Sequence, residues 1–187
     1  HPRVNILQPG PGVGGHCIAV DPWFIVAQNP QQARLIRTAR EVNDHKPEWV
    51  IEQVKAQVAD CLNATNKRAS ELTIACFGLA FKPNIDDLRE SPAMEIAAQI
   101  ARWHSGTTQV VEPNIHALPK KLDGLCTLAT LEAALASAEV LVMLVDHNQF
   151  KAVSGDSVTQ AFIVDTKGGG RGEPFWSPAA RASLVRR

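Results

Sequence analysis

Hydrophobic positions along this chain follow two periods, and the change from one to the other divides it. From Gln31 onward Leu35, Ala39 and Val42 recur at helical spacing, and Val50, Val54 and Val58 continue the stripe beyond Pro47. Such spacing lines one face of a helix, so the pattern predicts one long helix, kinked or broken near Pro47, where proline withholds an amide from the ladder. Asn63 to Glu71 (NATNKRASE) is polar and reads as a linker. Leu72 to Phe77 is then an unbroken apolar run ending at Gly78, as expected of a strand buried on both faces. Ser91-Pro92 offers an N-cap hydroxyl and a proline for the first helical turn, and Ile96, Ile100 and Trp103 give the helix that follows one apolar face, ending at Gly106. Thr107 to Val111, Val140 to Val145 and Phe162 to Asp165 read as strands, with a helix over Leu131 to Ala138 and a helical turn at Phe150 to Val153. Strands alternating with helices at this spacing specify an α/β fold with a doubly wound parallel sheet, preceded here by a short helical region. Lys82, Glu112, Asp146 and Asp165 fall at strand C-terminal ends and are expected in the crevice where such sheets bind ligands. The expected division is residues 1–66, residues 70–167, and an irregular tail over 168–187, where Gly168-Gly-Gly-Arg-Gly-Glu-Pro abandons the pattern.

Composition narrows the function classes. With 187 residues, 45% hydrophobic and 20% charged, the chain can build one core of roughly 100–150 residues and a smaller appendage. Nineteen basic residues balance nineteen acidic ones, so no overall field argues for nucleic acid. No apolar run approaches the roughly 20 residues of a membrane span, and HPRVNILQPG lacks the build of a signal peptide, so a cytoplasmic protein without a membrane partner is expected. The four cysteines form no CxxC pair, and His45, His104, His116 and His147 show no metal-ligand spacing; neither a metal nor a disulfide framework is expected. Cys61, Cys76 and Cys126 read as packing residues.

Chemistry concentrates in the loop before the helical region. Gly10, Gly12 and Gly15 match GxGxxG in form, but a dinucleotide cradle opens a helix at its third glycine and has a second strand downstream. Here Cys17-Ile-Ala-Val-Asp21-Pro22 follows, and the proline is expected to end the segment. On composition alone the loop could be a plain connector. Its content, GGHCIAVDP, argues otherwise. A cysteine thiolate accepts an aldehyde as a thiohemiacetal and holds an oxidised product as a thioester. Neighbouring glycines allow close approach of a substrate and offer peptide N–H groups to a developing oxyanion. If Cys17 opens a helical turn, Asp21 at i+4 shares its side and can position water. A thiol acyltransferase using Cys17 with His16 is a weaker reading, because adjacent side chains rarely face one another.

PGPGVGGHCIAVDPWF resembles the nucleophile segment of the UDP-glucose/GDP-mannose dehydrogenase family, and Gly78-Leu-Ala-Phe-Lys82-Pro-Asn-Ile-Asp-Asp87-Leu-Arg89-Glu-Ser91-Pro92 resembles the same family's C-terminal nucleotide-sugar-binding domain. Together with the alternating pattern, the resemblance covers about residues 1–167. It implies a Rossmann-like domain over 70–167 and, over 1–66, a central substrate and dimerisation region. It implies oxidation of a sugar C6 alcohol to a carboxylate with two NAD per nucleotide sugar, supplying a uronic acid for a surface polysaccharide. By similarity Cys17 is the nucleophile and Asp21 assists the water, with Gly12, Gly14 and Gly15 beside the substrate. Lys82 then contacts the substrate and Arg89 the cofactor's pyrophosphate, an ammonium and a forked guanidinium suited to phosphate oxygens. Without the resemblance both would read as surface ion pairs with Asp86, Asp87 or Glu90. The long helix, with Arg40-Glu-Val-Asn43-Asp, resembles the family's dimerisation helix and implies a homodimer, and Arg3 resembles an arginine lent to a neighbouring subunit's substrate.

Two departures accompany the likeness. The family's NAD-binding unit and the helix bearing its catalytic lysine and asparagine precede the cysteine segment and are not in these residues, and the ending after Val164-Asp-Thr-Lys-Gly168 differs. The expectation is a truncated enzyme, inactive by itself. The alternative is a non-catalytic nucleotide-sugar-binding or dimerisation module.

Overall fold

The computed structural model describes residues 9–153, 158 and 161–167. Arg3, the apolar run Val4 to Leu7 and the tail over 168–187 lie outside the described residues. The elements are α1 (Asp21–Gln28), α2 (Arg34–Thr65), a short 3-10 turn (Ala69–Glu71), β1 (Thr73–Phe77), α3 (Pro92–Trp103), β2 (Thr107–Val111), β3 (Thr127–Leu128), α4 (Leu131–Ser137), β4 (Val140–Met143), α5 (Asn148–Lys151) and β5 (Phe162–Asp165). The strands form one parallel sheet in the order β3-β2-β1-β4-β5. The expected α/β architecture is the observed one.

Several sequence expectations change. Pro22 does not end the cysteine segment: it lies in the first turn of α1, where a missing amide has no intrahelical partner to lose. Pro47 does not break α2, which runs unbroken for 32 residues. The proline leaves the Asn43 carbonyl without its helical donor, and that carbonyl faces the glycine loop, 3.6 Å from where a Cβ on Gly12 would sit. The polar stretch is only partly linker, because α2 continues to Thr65 and is capped by Asn66 in the left-handed region at φ 54°. β3 is too short for its alternation to be read. β4 stops at Met143 because the amides of Leu144 and Val145 both turn to the Phe77 carbonyl, each at 3.0 Å.

Two apolar layers enclose the sheet. Ile74 and Cys76 of β1 face the second half of α2 (Val50, Val54, Val58, Cys61) and the apolar side of α3 (Ile96, Ile100). Ala75 and Phe77 face Ala134 of α4 and Phe150 of α5, with the Phe77 and Phe150 rings edge to face at 5.5 Å. Each of the buried Val, Ile and Phe side chains contributes roughly 1.5–3 kcal/mol relative to exposure. As expected of packing residues, Cys61 and Cys76 are buried and Cys126 is half-buried. Among the described residues no helix is long and apolar enough to cross a membrane, and no group of three or more His, Cys, Asp or Glu is arranged to hold a metal ion.

Candidate active site

The strand order reverses between β1 and β4, and at that switch point a doubly wound sheet opens its ligand crevice. A cavity of about 480 Å³ lies there. Its walls come from the segment after β1 (Ala80 to Pro83), the segment after β4 (Leu144 to Asp146), the first turn of α3, Lys167 after β5, and the glycine loop with Ile18. Sequence-distant pieces thus meet at one opening.

Two turns let them meet. Gly78 follows β1 at φ +88°, and a Cβ there would sit 2.4 Å from Val145 Cβ; only glycine allows β1 to turn this close to the chain leaving β4. Gly14 lies against the start of α3, where a Cβ would approach the Glu90 carbonyl to 2.2 Å and Pro92 Cδ to 2.7 Å. The loop is also tied to α2: the Asn43 side chain accepts the Val13 amide at 2.7 Å and donates to the Val13 carbonyl at 3.3 Å. A buried Arg40 bonds Asp44 at 2.6 Å, and Asp44 in turn accepts from the Asn43 side-chain Nδ2 at 3.2 Å.

Gly12 and Gly14 line the cavity, and Gly15 lies on the Phe81 ring. Cys17 is exposed one residue before the lining residue Ile18. Its carbonyl accepts the amides of Val20 at 3.0 Å and Asp21 at 2.8 Å, so it opens the helical turn that leads into α1. Asp21, at the start of that helix, is one turn away and exposed. Lys82 lines the cavity, its Nζ 5.7 Å from the Phe81 ring centroid. Arg89 grips Asp87 with Nε at 2.9 and 3.1 Å from the two carboxylate oxygens and a terminal nitrogen at 2.6 Å. Its guanidinium hydrogen bonds, with the Arg89 amide and the nearby charges, hold the Asp87 carboxyl at about 2, well below its ordinary value. Arg89 is in weak electrostatic reach of Cys17, and Asp87 of His16. Arg3 is outside the described residues.

Of the strand-end residues, Asp146 lines the cavity and pairs with Lys151 at 2.9 Å and Lys167 at 3.3 Å. Asp165 accepts the Lys167 amide at 2.8 Å. Glu112 is buried and bonds His147 Nε2 at 3.0 Å. Burial pushes its carboxyl up, but hydrogen bonds from His147 and the Leu79 amide outweigh that and leave it below the ordinary value. Sequence reasoning missed Lys167, which lines the cavity, and the buried His147, which accepts the Asn84 amide two residues beyond Lys82. Both directly follow strand-end positions already singled out, so the same signal reaches them when extended by one or two residues.

Residues 75–169 match the UDP-binding domain of the UDP-glucose/GDP-mannose dehydrogenase family, and residues 1–45 match its central domain. The chain is 83% identical over 168 residues, 90% of its length, to UDP-N-acetyl-D-mannosamine dehydrogenase of Escherichia coli, and 71% identical over the same span to that of Yersinia pestis. It spans about 40% of the length of these curated relatives. Among solved structures it is similar to the UDP-D-ManNAc dehydrogenase of Pyrococcus horikoshii (TM-score 0.70, 29% identity, 95% of this chain and 40% of that one). It is also similar to the UDP-N-acetyl-mannosamine dehydrogenase of S. aureus (TM-score 0.63, 34% identity, 89% and 37%).

Proposed function

The chain belongs to the UDP-glucose/GDP-mannose dehydrogenase family, and from that premise we propose that it supplies the nucleophile and nucleotide-sugar-binding part of an NAD-dependent UDP-sugar 6-dehydrogenase. The substrate in this reading is UDP-N-acetyl-D-mannosamine and the product the corresponding uronate, for surface polysaccharide synthesis in the cytoplasm. The observation that carries it is an exposed Cys17 heading a helical turn whose next residue, Ile18, lines a cavity shared by the glycine loop and Lys82. The 83% identity to the E. coli enzyme supports the sugar. Residues 1–66 carry the nucleophile loop and the pairing helix, and residues 70–167 hold the nucleotide.

In this mechanism the Lys82 ammonium, with Lys167 also lining the cavity, attracts the diphosphate. Backbone of Gly12, Gly14 and Gly15 lets the sugar approach the loop. The Cys17 thiolate adds to the C6 aldehyde and forms a C–S bond, and peptide N–H groups of the loop receive the oxyanion. After the second oxidation Sγ holds a thioester. Asp21 orients the water that attacks it, and the sulfur leaves as thiolate while the uronate departs. The two oxidations, C6 alcohol to aldehyde and thiohemiacetal to thioester, each lose a hydride, and hydride acceptance is the chemistry a bound NAD would supply. The described residues do not build its cradle: the loop's third glycine leads into a turn, and the two amides after Gly78 are taken by Glu112. Arg89 is the group this chain offers to the cofactor's pyrophosphate, and in its absence Asp87 holds the exposed guanidinium in an ion pair.

A homodimer through α2 completes the reading. Leu35, Val42 and Trp49 on α2 and Phe24 and Ile25 on α1 leave a large apolar face uncovered, of the kind that marks an interface.

The test is to join this chain to the NAD-binding part of its relatives and follow NADH formation with UDP-N-acetylmannosamine. Cys17→Ser is expected to lower the rate by at least about a thousandfold, the scale of losing a covalent nucleophile. Near-normal turnover by Cys17→Ser overturns the mechanism. UDP binding without turnover by the joined protein favours the non-catalytic module. A normal rate from the 187 residues alone overturns the expectation that they need the remainder.

A further inference from the structure

The buried Glu112–His147 pair is not used by the chemistry proposed above, although Glu112 accepts the amide of Ala80, a residue that lines the cavity. Glu112 Oε2 accepts the amides of Leu79 at 2.7 Å and Ala80 at 3.2 Å. These are the first amides after the Gly78 turn, at the position where doubly wound folds offer N–H groups to an external phosphate. Here an internal carboxylate fills it. Its other oxygen accepts both the backbone and side-chain N–H of Asn114, at 3.1 and 3.0 Å.

His147 extends the connection. Its Nδ1 accepts the Asn84 amide at 2.9 Å and lies 3.1 Å from the Asn114 Nδ2. A backbone N–H can only donate, so Nδ1 carries the lone pair and Nε2 carries the proton directed at Glu112. Asn84 itself stands at φ 61°, and its side-chain oxygen accepts the Asn148 amide at 2.9 Å. The segment bearing Phe81 and Lys82 is therefore tied at both ends: at Leu79 and Ala80 by Glu112, and at Asn84 by His147 and Asn148.

We propose that Glu112 and His147 are positioning residues for Lys82, holding residues 79–84 so that its ammonium meets the diphosphate of a nucleotide sugar in the cavity. The proposal rests on the reading of Lys82 as a diphosphate ligand. Filling the amide pair internally also moves the external phosphate away from the Gly78 turn, toward Lys82, Lys167 and the glycine loop.

Isothermal titration of UDP into the 187-residue chain tests it, with uridine followed by ligand-observed NMR and folding checked by circular dichroism. Lys82→Ala is expected to weaken UDP about tenfold, in the range of one charge-assisted contact. His147→Ala is expected to weaken UDP about three- to tenfold in the native background and less than about twofold in the Lys82→Ala background, since residues acting through one contact are non-additive. Asn84→Gly, which relieves the left-handed backbone while removing the side-chain tie, is the milder variant and is expected to follow the same pattern. Uridine binding should not change in any of them. Equal losses for uridine and UDP, or losses that simply add to that of Lys82→Ala, overturn the positioning role while leaving Lys82 as a ligand. An unchanged UDP affinity in Lys82→Ala overturns both.

Discussion

Gly14→Ala is the sharpest perturbation of how the glycine loop is seated, and it changes no side chain that reacts. The added methyl would sit 2.2 Å from the Glu90 carbonyl oxygen, 2.7 Å from Pro92 Cδ and 3.1 Å from Phe81 Cβ. The nearest of these is backbone and the second a ring atom at the start of α3, so neither can swing aside as the end of a flexible side chain does. The loop cannot slide freely either, because Asn43 holds the Val13 peptide through both its N–H and its C=O. Overpacking of this kind costs about 1–3 kcal/mol, which for a chain of this size lowers Tm by about 2–12 °C. If the loop lifts off before the sheet yields, the loss in Tm falls at the low end and UDP affinity drops instead. The assay is thermal unfolding by circular dichroism with UDP titration, and Gly10→Ala is the control. There the added Cβ meets only the end of the Lys167 side chain, 3.3 Å from Nζ, and less than about 0.5 kcal/mol is expected, as for an ordinary surface change. Native Tm and native UDP affinity in Gly14→Ala would show that the loop is not seated on α3.

Other outcomes follow from the same geometry. Gly78→Ala combines φ +88° with a 2.4 Å approach to Val145 and is expected to cost more than about 3 kcal/mol, read by urea denaturation. Asp87, held at about 2 by Arg89, should titrate there by NMR and return toward 3.8 in Arg89→Ala; because the folded value is the lower one, the pair's contribution is present above the ordinary carboxylate range and lost as pH falls toward 2. Glu112 follows the same sign, so acid unfolding of the native protein should move to higher pH in His147→Ala, which removes one of the hydrogen bonds that lower Glu112. In native protein iodoacetamide should label Cys17 first, whereas Cys61 and Cys76, fully buried and with thiols pushed up by burial, should react only on unfolding, as read by peptide mass mapping.

The fold was largely legible because its strands are buried on both faces: Leu72 to Phe77 and Val140 to Val145 stand out as apolar runs, and Ser91-Pro92 marks the start of α3, where the Ser91 hydroxyl does accept the Met94 amide at 3.4 Å. What escaped were features set by tertiary contact. α2 passes Pro47 unbroken since its later turns pack on the sheet through Val50, Val54 and Val58, and the stripe alone cannot weigh that packing against one missing amide. α1 was hidden because Asp21-Pro22 reads equally as an ending and as a helical first turn. At the site, the Cys17 turn and the Lys82 segment came from the wording of two motifs, and their meeting at one cavity needed the fold. The Glu112–His147–Asn84 connection spans residues 28 to 63 positions apart, beyond any local spacing argument.

In the proposed mechanism the Cys17 thiol faces a nucleotide sugar held in the cavity beside Lys82. Alkylation of Cys17, followed by mass spectrometry with and without saturating UDP-N-acetylmannosamine, probes it most directly. The sugar nucleotide is expected to slow modification of Cys17 while that of Cys126 stays unchanged, and Lys82→Ala to weaken the protection. An unaltered Cys17 rate, at a concentration where calorimetry shows the nucleotide bound, would contradict it.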